Sequence, residues 1–417
     1  MTGSCRASTN GAALPRRRPP PGGARRGPPV ALRAILGLAA LAGCVEHEPG
    51  VEGTTSLQVE ILSPADLGAV DRRLADTSRS VQVRVTAKDA QNEVDVAFSG
   101  AVDVRTHFLG SLTPGQGTPA DLYVVLQSGV GEANLTLPGA LGPTYLWVED
   151  TRADGERAPS YATGTSPTLW FREPWLEDVS RPSDESADDA LERSPLEGKQ
   201  VRVETSRFGA AGSLMVTGIY TQGYTVSDVD CSTLPCAATD YGHVFVFTFN
   251  RPRAEPPQPG AFGKAIEIGD DVSWVGGGVG EFNGFTELNF PQTVLIDDVA
   301  DEARLPAPAV LQGSWLADQT DMINLERVES ALVAVEGATL CPLDENFTMY
   351  MQWKLDVGLG CGRDVYNVIS SGTAPTFDPG AHEGQTVTRV VGTLRAVNIG
   401  SFHVWILYPR RESDIVL

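Results

Sequence analysis

The chain has 417 residues, a formal net charge of −21 and a mean hydropathy of −0.10. This length predicts two to four domains, and the ordinary apolar content excludes a largely disordered chain. The excess of acid disfavours nucleic acid and anionic lipid headgroups as partners, because a negative field repels them. With 44 Gly, 29 Pro and many short β-prone runs, the composition favours an all-β protein.

Residues 1–43 have the features of an export signal. A basic flank ending at Arg33 leads into about ten apolar residues, a secretory pattern that is shorter than the roughly 20 residues of a membrane span. The sequence LAGC that ends at Cys44 resembles the lipobox of bacterial lipoproteins, which implies that Cys44 is acylated and anchors the mature chain. Because Val45 rather than Asp follows, the resemblance implies an outer-membrane lipoprotein, on the periplasmic side or at the cell surface. An ordinary signal peptide with an incidental cysteine is the alternative.

Removal of this leader makes the chain more acidic, because it takes away seven arginines and no acid. Solubility is the simplest explanation of the remaining acidic excess. Calcium binding is the alternative, but no D-x-D-x-D-G loop supports it. We therefore expect no metal and no cofactor.

Residues 44–56 form a polar tether, after which period-two alternation of apolar residues predicts half-buried strands. These runs begin at Leu57 and continue to Tyr145–Val148, with turn residues at short intervals, as in a β-sandwich. The segments VQVRVTAKDAQNEVDVAFSGAVDVRT and GVGEANLTLPGALGPTYLWVEDTRADG resemble bacterial immunoglobulin-like domains of the invasin or filamin kind. The resemblance covers residues 57–171 and implies a spacer or adhesive module.

Two connecting segments follow. Residues 172–195 are expected to be a linker, because Glu177–Glu192 within them is acidic and nearly free of large apolar side chains, which is typical of a solvated segment. Residues 301–323 contain a Pro-spaced stretch and predict a second linker. These segments leave two further domains, at residues 196–300 and 324–417.

The strongest local signal is a β-hairpin within Ile268–Asp297. Its Asn283-Gly284 dipeptide lies between two β-prone runs, and both residues tolerate the positive φ of a type I′ turn. A degraded copy occupies Glu383–Ile415. The aligned pairs are Val272 with Val387, Val275 with Val390, Gly277 with Gly392, Val279 with Leu394, and Asn283 with Asn398. The sequence therefore predicts one small β-domain used twice.

Each copy is expected to be a five-stranded oligonucleotide/oligosaccharide-binding (OB) barrel, because a long connection separates the third and fourth strands. In the first copy the expected strands are Val201–Val203, a long Leu214–Asp228, His243–Asn250 and the hairpin. In the second, Val328–Leu340 is expected to repeat Leu196–Phe208. The runs GYTVSD, HVFVFTFNRP and IGDDVSWVGGGVGEFNGFTEL resemble OB-like domains attached to secreted bacterial nucleases and surface lipoproteins. In that family nuclease activity resides in a separate domain, of which this sequence shows no sign.

Beyond Cys5 and Cys44, the cysteines form two pairs, Cys231 with Cys236 and Cys341 with Cys361. An even number left in an exported protein predicts disulfides, and each pair falls within one copy of the repeat. A zinc site is disfavoured, because about four ligands must converge.

No motif identifies catalysis. The five histidines form no H-x-x-H or H-E-x-x-H pattern, and no G-x-S-x-G or Walker loop occurs. Gly276–Gly280 is glycine-rich but lies inside a strand, where we expect a bend or a close approach of backbone.

Aromatic side chains supply the candidate ligand face, which we assign to Tyr220 and Tyr224. Such residues on an OB sheet can stack with sugars or bases. Phe245, Phe247 and Phe249 share one face of a strand, and we expect that face to be core. Neighbouring acidic residues disfavour nucleic acid.

We therefore expect an all-β, lipid-anchored protein of the cell envelope, with an immunoglobulin-like β-sandwich followed by two OB-like β-barrels. It would act as a non-catalytic binding or structural module whose partners are the membrane, through Cys44, and a glycan or envelope protein. One alternative is an oligosaccharide- or polysaccharide-binding surface lipoprotein. The other is a divergent hydrolase, whose carboxylates the sequence does not single out.

Overall fold

The computed structural model describes residues 53–75, 79–108, 122–137, 140–150, 162–182, 185, 193–256, 263–317, 322–362, 364–399 and 402–417. The fold is all-β, as predicted, and Gly50–Leu417 forms one compact unit. Within these ranges the longest helix has six residues, and no helix has the length and apolar character needed to cross a membrane. The predicted leader and its Cys44 lie outside the described residues.

The first domain is a sandwich of two antiparallel sheets. Its strands are β1 (Ser56–Ser63), β2 (Ser80–Lys88), β3 (Gly100–Phe108), β4 (Tyr123–Leu126), β5 (Val130–Thr136), β6 (Pro143–Asp150), β7 (Thr163–Thr165) and β8 (Leu169–Trp170). One sheet has the order β1-β2-β5; the other has β4-β3-β6-β7, with β8 also paired to β6. Alternate residues such as Val81, Val83 and Val85 are buried between the sheets. This is an immunoglobulin-like order in which the fourth strand joins the third.

The segment after the sandwich is not a wholly solvated linker. Within 172–195, helix α1 (Leu176–Ser180) buries Leu176 and Val179 completely in the core of the next domain. The Asp178 carboxylate accepts a hydrogen bond from the Trp175 backbone N–H at the start of the helix (2.8 Å). Two buried apolar residues are enough to dock this acidic segment against the next domain. The prediction of a solvated linker is therefore wrong for Leu176–Ser180.

The second domain is a closed OB barrel with one additional strand. Its strands are β9 (Gln200–Val203), β10 (Gly212–Tyr220), β11 (Gly223–Asp230), β12 (Ala237–Phe247), β13 (Asp271–Glu281) and β14 (Thr286–Leu295). The order is β10-β11-β12-β14-β13, and β13 pairs with β10 to close the barrel. The β12–β14 pair is parallel and the other barrel pairs are antiparallel. This is the five-stranded Greek-key barrel of the OB fold.

Two predicted strands of this barrel are corrected. The run 214–228 is not one strand but the hairpin β10–β11, in which Tyr220 pairs with Gly223. The Thr221-Gln222 turn between them carries no Asn-Gly or Asp-Gly signal, so the sequence does not mark it. Val201–Val203, expected as the first barrel strand, belongs to β9, which pairs with β13 outside the closed barrel.

The third domain repeats the barrel. Its elements are β15 (Ala309–Val310), α2 (Ser314–Ala317), α3 (Ile323–Arg327), β16 (Leu332–Leu340), α4 (Glu345–Tyr350), β17 (Gln352–Asp356), β18 (Tyr366–Ile369), β19 (Thr386–Ile399), β20 (Phe402–Tyr408) and β21 (Ile415–Val416). The order β16-β17-β18-β20-β19 closes through β16–β19, and β18–β20 is parallel. β16 therefore corresponds to β10, and the alignment of Val328–Leu340 with Leu196–Phe208 is wrong. Leu311 and Leu316, from the predicted second linker, lie in this barrel's core.

Single-turn 3-10 helices complete the described elements, at Gly209–Ala211, Glu302–Arg304, Pro379–His382 and Glu412–Asp414.

The glycine-rich strand β13 shows the bend and the close approach of backbone that the sequence predicts. A Cβ at Gly276 would lie 2.8 Å from the Val201 carbonyl oxygen, and the register with β14 shifts between Gly276 and Gly278. Glycine thus permits both a bulge and the close approach of β9.

The predicted Asn283-Gly284 turn is confirmed. The two residues have φ angles of 56° and 73°, and the Phe282 N–H donates to the Phe285 carbonyl oxygen (2.9 Å). In the second barrel, β19 continues to Ile399, so Asn398 lies inside a strand rather than at the turn. The aligned asparagines are therefore not equivalent in structure.

Both predicted disulfides are present. Cys231–Cys236 links the end of β11 to the segment before β12, with a Cα–Cα distance of 4.3 Å. Cys341–Cys361 ties the residue after β16 to the loop after β17, with a Cα–Cα distance of 5.6 Å.

Candidate ligand-binding cleft

The outer surfaces of the two barrels meet around an open cavity of about 420 Å³, which we call the cleft. The first barrel contributes the end of β10, part of β12 and the tip of the β13–β14 hairpin. The second contributes the end of β18, the last part of β19 and Tyr408. The cleft is thus built from the two copies of the repeat.

The phenylalanines of β12 point into this region rather than into the barrel. Val244 and Val246 are buried in the core of the first barrel, so the alternating Phe245 and Phe247 lie on its outer surface. Phe245 is nevertheless only 3% exposed, because the second barrel covers it. Our expectation that Phe245, Phe247 and Phe249 form a core face is wrong, because Val244 and Val246 fill the interior of this small barrel instead. Both faces of β12 are apolar, so alternation does not tell which one faces inward.

The two tyrosines predicted as a ligand face lie on opposite surfaces of the β10–β11 hairpin. Tyr220 lines the cleft; its hydroxyl group is hydrogen-bonded to the Thr393 hydroxyl (2.5 Å) and donates to the Tyr408 carbonyl oxygen (3.1 Å). Tyr224 is fully buried in the first barrel, where its hydroxyl contacts that of Thr293. Burial raises the pKa of Tyr224. The assignment of Tyr224 to a ligand face is therefore corrected: it is a core residue.

A guanidinium group from the second barrel is enclosed by aromatic rings. The Cζ atom of Arg395, on β19, lies 3.9 Å from the ring centroid of Phe245 and 4.4 Å from that of Tyr408. The centroids of Tyr220 and Phe285 follow at 4.6 and 5.5 Å. Aromatic faces attract a cation at these distances through their quadrupoles. We call these four rings the cage.

The Arg395 guanidinium has few polar contacts in this cage. Its Nε and Nη2 atoms are buried, and they have no hydrogen-bond partner among the described residues. No carboxylate of the described residues lies within 4.0 Å of it, so it forms no salt bridge there. Burial lowers the pKa of Arg395 from its ordinary value. Sequence reasoning missed this residue, because one Arg in an apolar strand does not show what covers it.

Three buried or half-buried carboxylates lie near the hairpin. Glu287 lines the cleft, and burial raises its pKa. Glu329 accepts a hydrogen bond from the Thr286 backbone N–H (3.0 Å), and Glu281 accepts one from the Thr286 hydroxyl (2.8 Å). Burial, followed by repulsion from Glu281, raises the pKa of Glu329 well above its usual value.

An exposed aromatic cluster continues outward from the cleft. Phe247 lines the cleft and its ring centroid lies 4.5 Å from that of Phe249, which in turn lies 5.2 Å from Phe290. Phe249 is 54% exposed and Phe290 is 77% exposed. Both have positive φ angles, 60° and 50°, a conformation that costs free energy in non-Gly residues. We call Phe249 and Phe290 the ridge.

No protein-family model, curated protein sequence or solved structure matches this chain. Within the described ranges, no group of three or more His, Cys, Asp and Glu side chains is arranged to hold a metal ion. The cleft offers aromatic faces, one guanidinium group and the polar side chains of Gln222 and Asn283.

Proposed function

We propose that this chain is a lipid-anchored, non-catalytic binding protein of the cell envelope that holds an oligosaccharide in the cleft between its barrels. The observation that carries the proposal is the aromatic lining of an open cavity formed by two OB barrels. Binding sites of this kind combine mainly apolar walls with a few polar groups that fix orientation. The acidic charge of the whole chain argues against nucleic acid as the ligand.

Aromatic faces and amide edges suit a sugar ring. The C–H faces of a pyranose are apolar and stack on rings such as Phe247 and Phe282, while its hydroxyl groups need hydrogen-bond partners. Gln222 and Asn283 border the cleft and carry both donors and acceptors. Phe282 is 63% exposed at the tip of the hairpin, so a ligand can reach it without rearrangement.

The ridge supports a ligand longer than the cleft. Phe249 and Phe290 continue the aromatic surface from Phe247 toward solvent, and they remain exposed although aromatic rings gain from burial. A chain of several sugars could occupy the cleft and stack its next units on the ridge. This geometry favours an oligosaccharide or polysaccharide over a single small metabolite.

The carboxylates of the cleft support binding rather than glycoside hydrolysis. Hydrolysis of this type generally needs two carboxyl groups, separated by about 5 to 9.5 Å across the scissile bond. Among the described residues that line the cleft, Glu287 is the single carboxylate. A second acid positioned across the cleft from it would have favoured the hydrolase alternative.

Binding can be tested by titration calorimetry with a panel of soluble polysaccharides and their oligosaccharides. A ligand should bind the purified mature chain, and Phe249→Ala with Phe290→Ala should weaken binding about 10-fold, in line with the loss of ring stacking. Tyr123→Ala is the matched control, because Tyr123 is 53% exposed on the sandwich. Equal affinity in all three proteins, or no binding to any saccharide, would contradict the proposal.

Anchoring is tested separately. Acylation at Cys44 should place the full chain in the membrane fraction, and Cys44→Ala should move it to the soluble fraction without changing saccharide binding. Two or more acyl chains hold a protein firmly on a bilayer, since each buried CH₂ adds about 0.8 kcal/mol. Recovery of the Cys44→Ala chain in the membrane fraction would argue against the lipid anchor.

A further inference from the structure

We propose that the ligand of the cleft carries a carboxylate group that pairs with Arg395, so that the protein selects acidic, uronate-type oligosaccharides over neutral ones. This inference rests on the proposed function, because it names the ligand class of the same cleft. The geometry that points to it is an arginine that lines the cavity, inside a cage of four rings and without a salt bridge to any described carboxylate.

The cage compensates only part of the charge of Arg395. A buried guanidinium group normally pairs with a carboxylate, because removing an unpaired charge from water is costly. Ring faces recover only part of that cost through their quadrupoles. In the described part of the chain no salt bridge or hydrogen bond of Arg395 supplies the rest. The guanidinium group therefore has no anion in direct contact among the described residues, although Glu287 and Glu329 attract it from farther away.

The nearest protein acids do not fill that place. Glu287 borders the same cavity but lies beyond the 4.0 Å limit of a salt bridge to Arg395. Glu329 directs one carboxylate oxygen to the Thr286 N–H instead. Burial raises the pKa of both carboxyl groups, and attraction to Arg395 opposes that rise. A ligand carboxylate would have to reach the part of the guanidinium group that faces the cavity, because Nε and Nη2 are buried.

The rings also make the pair selective. They shield the Nε and Nη2 side of the guanidinium group from water, and an ion pair is stronger where the local dielectric is low. Charge-assisted hydrogen bonds between Arg and carboxylate are about twice as strong as neutral ones. The acidic charge of the whole chain opposes every polyanion, so direct pairing with Arg395 has to outweigh this repulsion, which salt screens beyond about 8 Å at physiological ionic strength.

The test compares two forms of one ligand on the unchanged protein. We expect hexagalacturonate to bind at least 10-fold more tightly than its fully methyl-esterified form, because the ester removes the charge and keeps the sugar rings. Equal binding of both forms would overturn the inference while leaving the proposed function intact. Failure of both forms, with binding of a neutral hexasaccharide, would likewise overturn only the inference. Failure of every saccharide would overturn the proposed function as well.

Variants then assign the effect to the residue. Arg395→Met keeps an apolar side chain in the cage and should reduce free-acid binding about 10-fold without changing ester binding. Arg411→Met is the control, because Arg411 pairs with Glu302 (2.8 Å) and does not line the cleft. If Arg395→Met does not fold, the comparison of the free acid with its methyl ester on the parent protein still tests the inference. An acid preference that persists in folded Arg395→Met would show that Arg395 is not its source.

Discussion

The backbone N–H of Asn398 donates a hydrogen bond of 2.7 Å to the carbonyl oxygen of Asn283. The two asparagines are the positions that the internal repeat aligns, and they come from different barrels. Strand β19 of the second barrel thus holds the hairpin tip of the first, and the side chain of Asn398 lies directly against Gly284. This contact fixes the tip beside the cleft, where Phe282 and Phe285 are placed.

Gly284→Ala is expected to destabilise the protein more than Gly337→Ala. Both glycines have positive φ angles, 73° and 62°, so an alanine at either costs about 1 to 2 kcal/mol. A Cβ at Gly284 would also overlap the side-chain amide of Asn398, whereas no described atom lies within 4 Å at Gly337. Urea unfolding should show an additional loss of at least about 1 kcal/mol for Gly284→Ala. Equal losses would mean that the contact with Asn398 contributes nothing.

Glu329 is expected to make the protein less stable as the pH rises above about 4.5. Burial raises the pKa of Glu329 in the folded chain, so the folded state binds this proton more tightly than the unfolded state does. The contribution is therefore full below the unfolded pKa and is lost as the pH rises toward the folded one. Glu329→Gln, which cannot ionise, should therefore lose less unfolding free energy than the parent protein as the pH rises from 5 to 7.

The pH dependence of the unfolding free energy must be compared between Glu329→Gln and the parent protein, because other buried groups also contribute to it. Burial lowers the pKa of His243 to about 4, which contributes the opposite slope, since folding then favours the neutral ring. Glu336→Gln is the control for Glu329→Gln, because Glu336 is exposed and pairs with Arg389 (3.2 Å). An unchanged slope in Glu329→Gln would show that this carboxyl titrates alike in both states.

Loss of the two disulfides should have unequal effects. Cys341 and Cys361 are 20 residues apart, and Cys231 and Cys236 are five apart. On the chain-entropy model the longer loop contributes about 3 kcal/mol and the shorter about 2. Paired Cys→Ala variants, unfolded in urea without reductant, should therefore differ by about 1 kcal/mol. A larger loss from the 231–236 pair would show that strain or packing outweighs loop length.

Tyr220→Phe and Tyr224→Phe should affect different parts of the chain. Each removes a buried or half-buried hydroxyl and is expected to cost about 1 kcal/mol. The Tyr220 hydroxyl bonds to Thr393 and Tyr408 in the second barrel, whereas that of Tyr224 bonds within the first. Amide hydrogen exchange should show faster exchange in β19 and β20 for Tyr220→Phe alone. The same exchange pattern in both variants would exclude this link between the barrels.

The fold was largely predictable because its signals are local. Asn283-Gly284 marks its turn by the φ angles it tolerates, and the cysteine spacing marks each disulfide. The Thr221-Gln222 turn has no such signal, so two strands were predicted as one. The same limit caused the wrong match of Val328–Leu340, since β9 resembles a barrel strand in alternation although it lies outside the barrel.

The candidate site was predictable only in part, because it depends on contacts between domains. Tyr220 and Tyr224 are four residues apart, and which of them faces outward follows from the turn that the sequence does not mark. Arg395 stands on the outer face of its strand, and only the packing of the first barrel shows that aromatic rings enclose it. Strand alternation reports which residues share a face but not what covers that face.

Three rings of the cage belong to the first barrel, and the guanidinium group with the fourth belongs to the second. Neither barrel therefore forms the cage alone. Separating the two barrels would take three of the four rings away from the guanidinium group and open it to solvent.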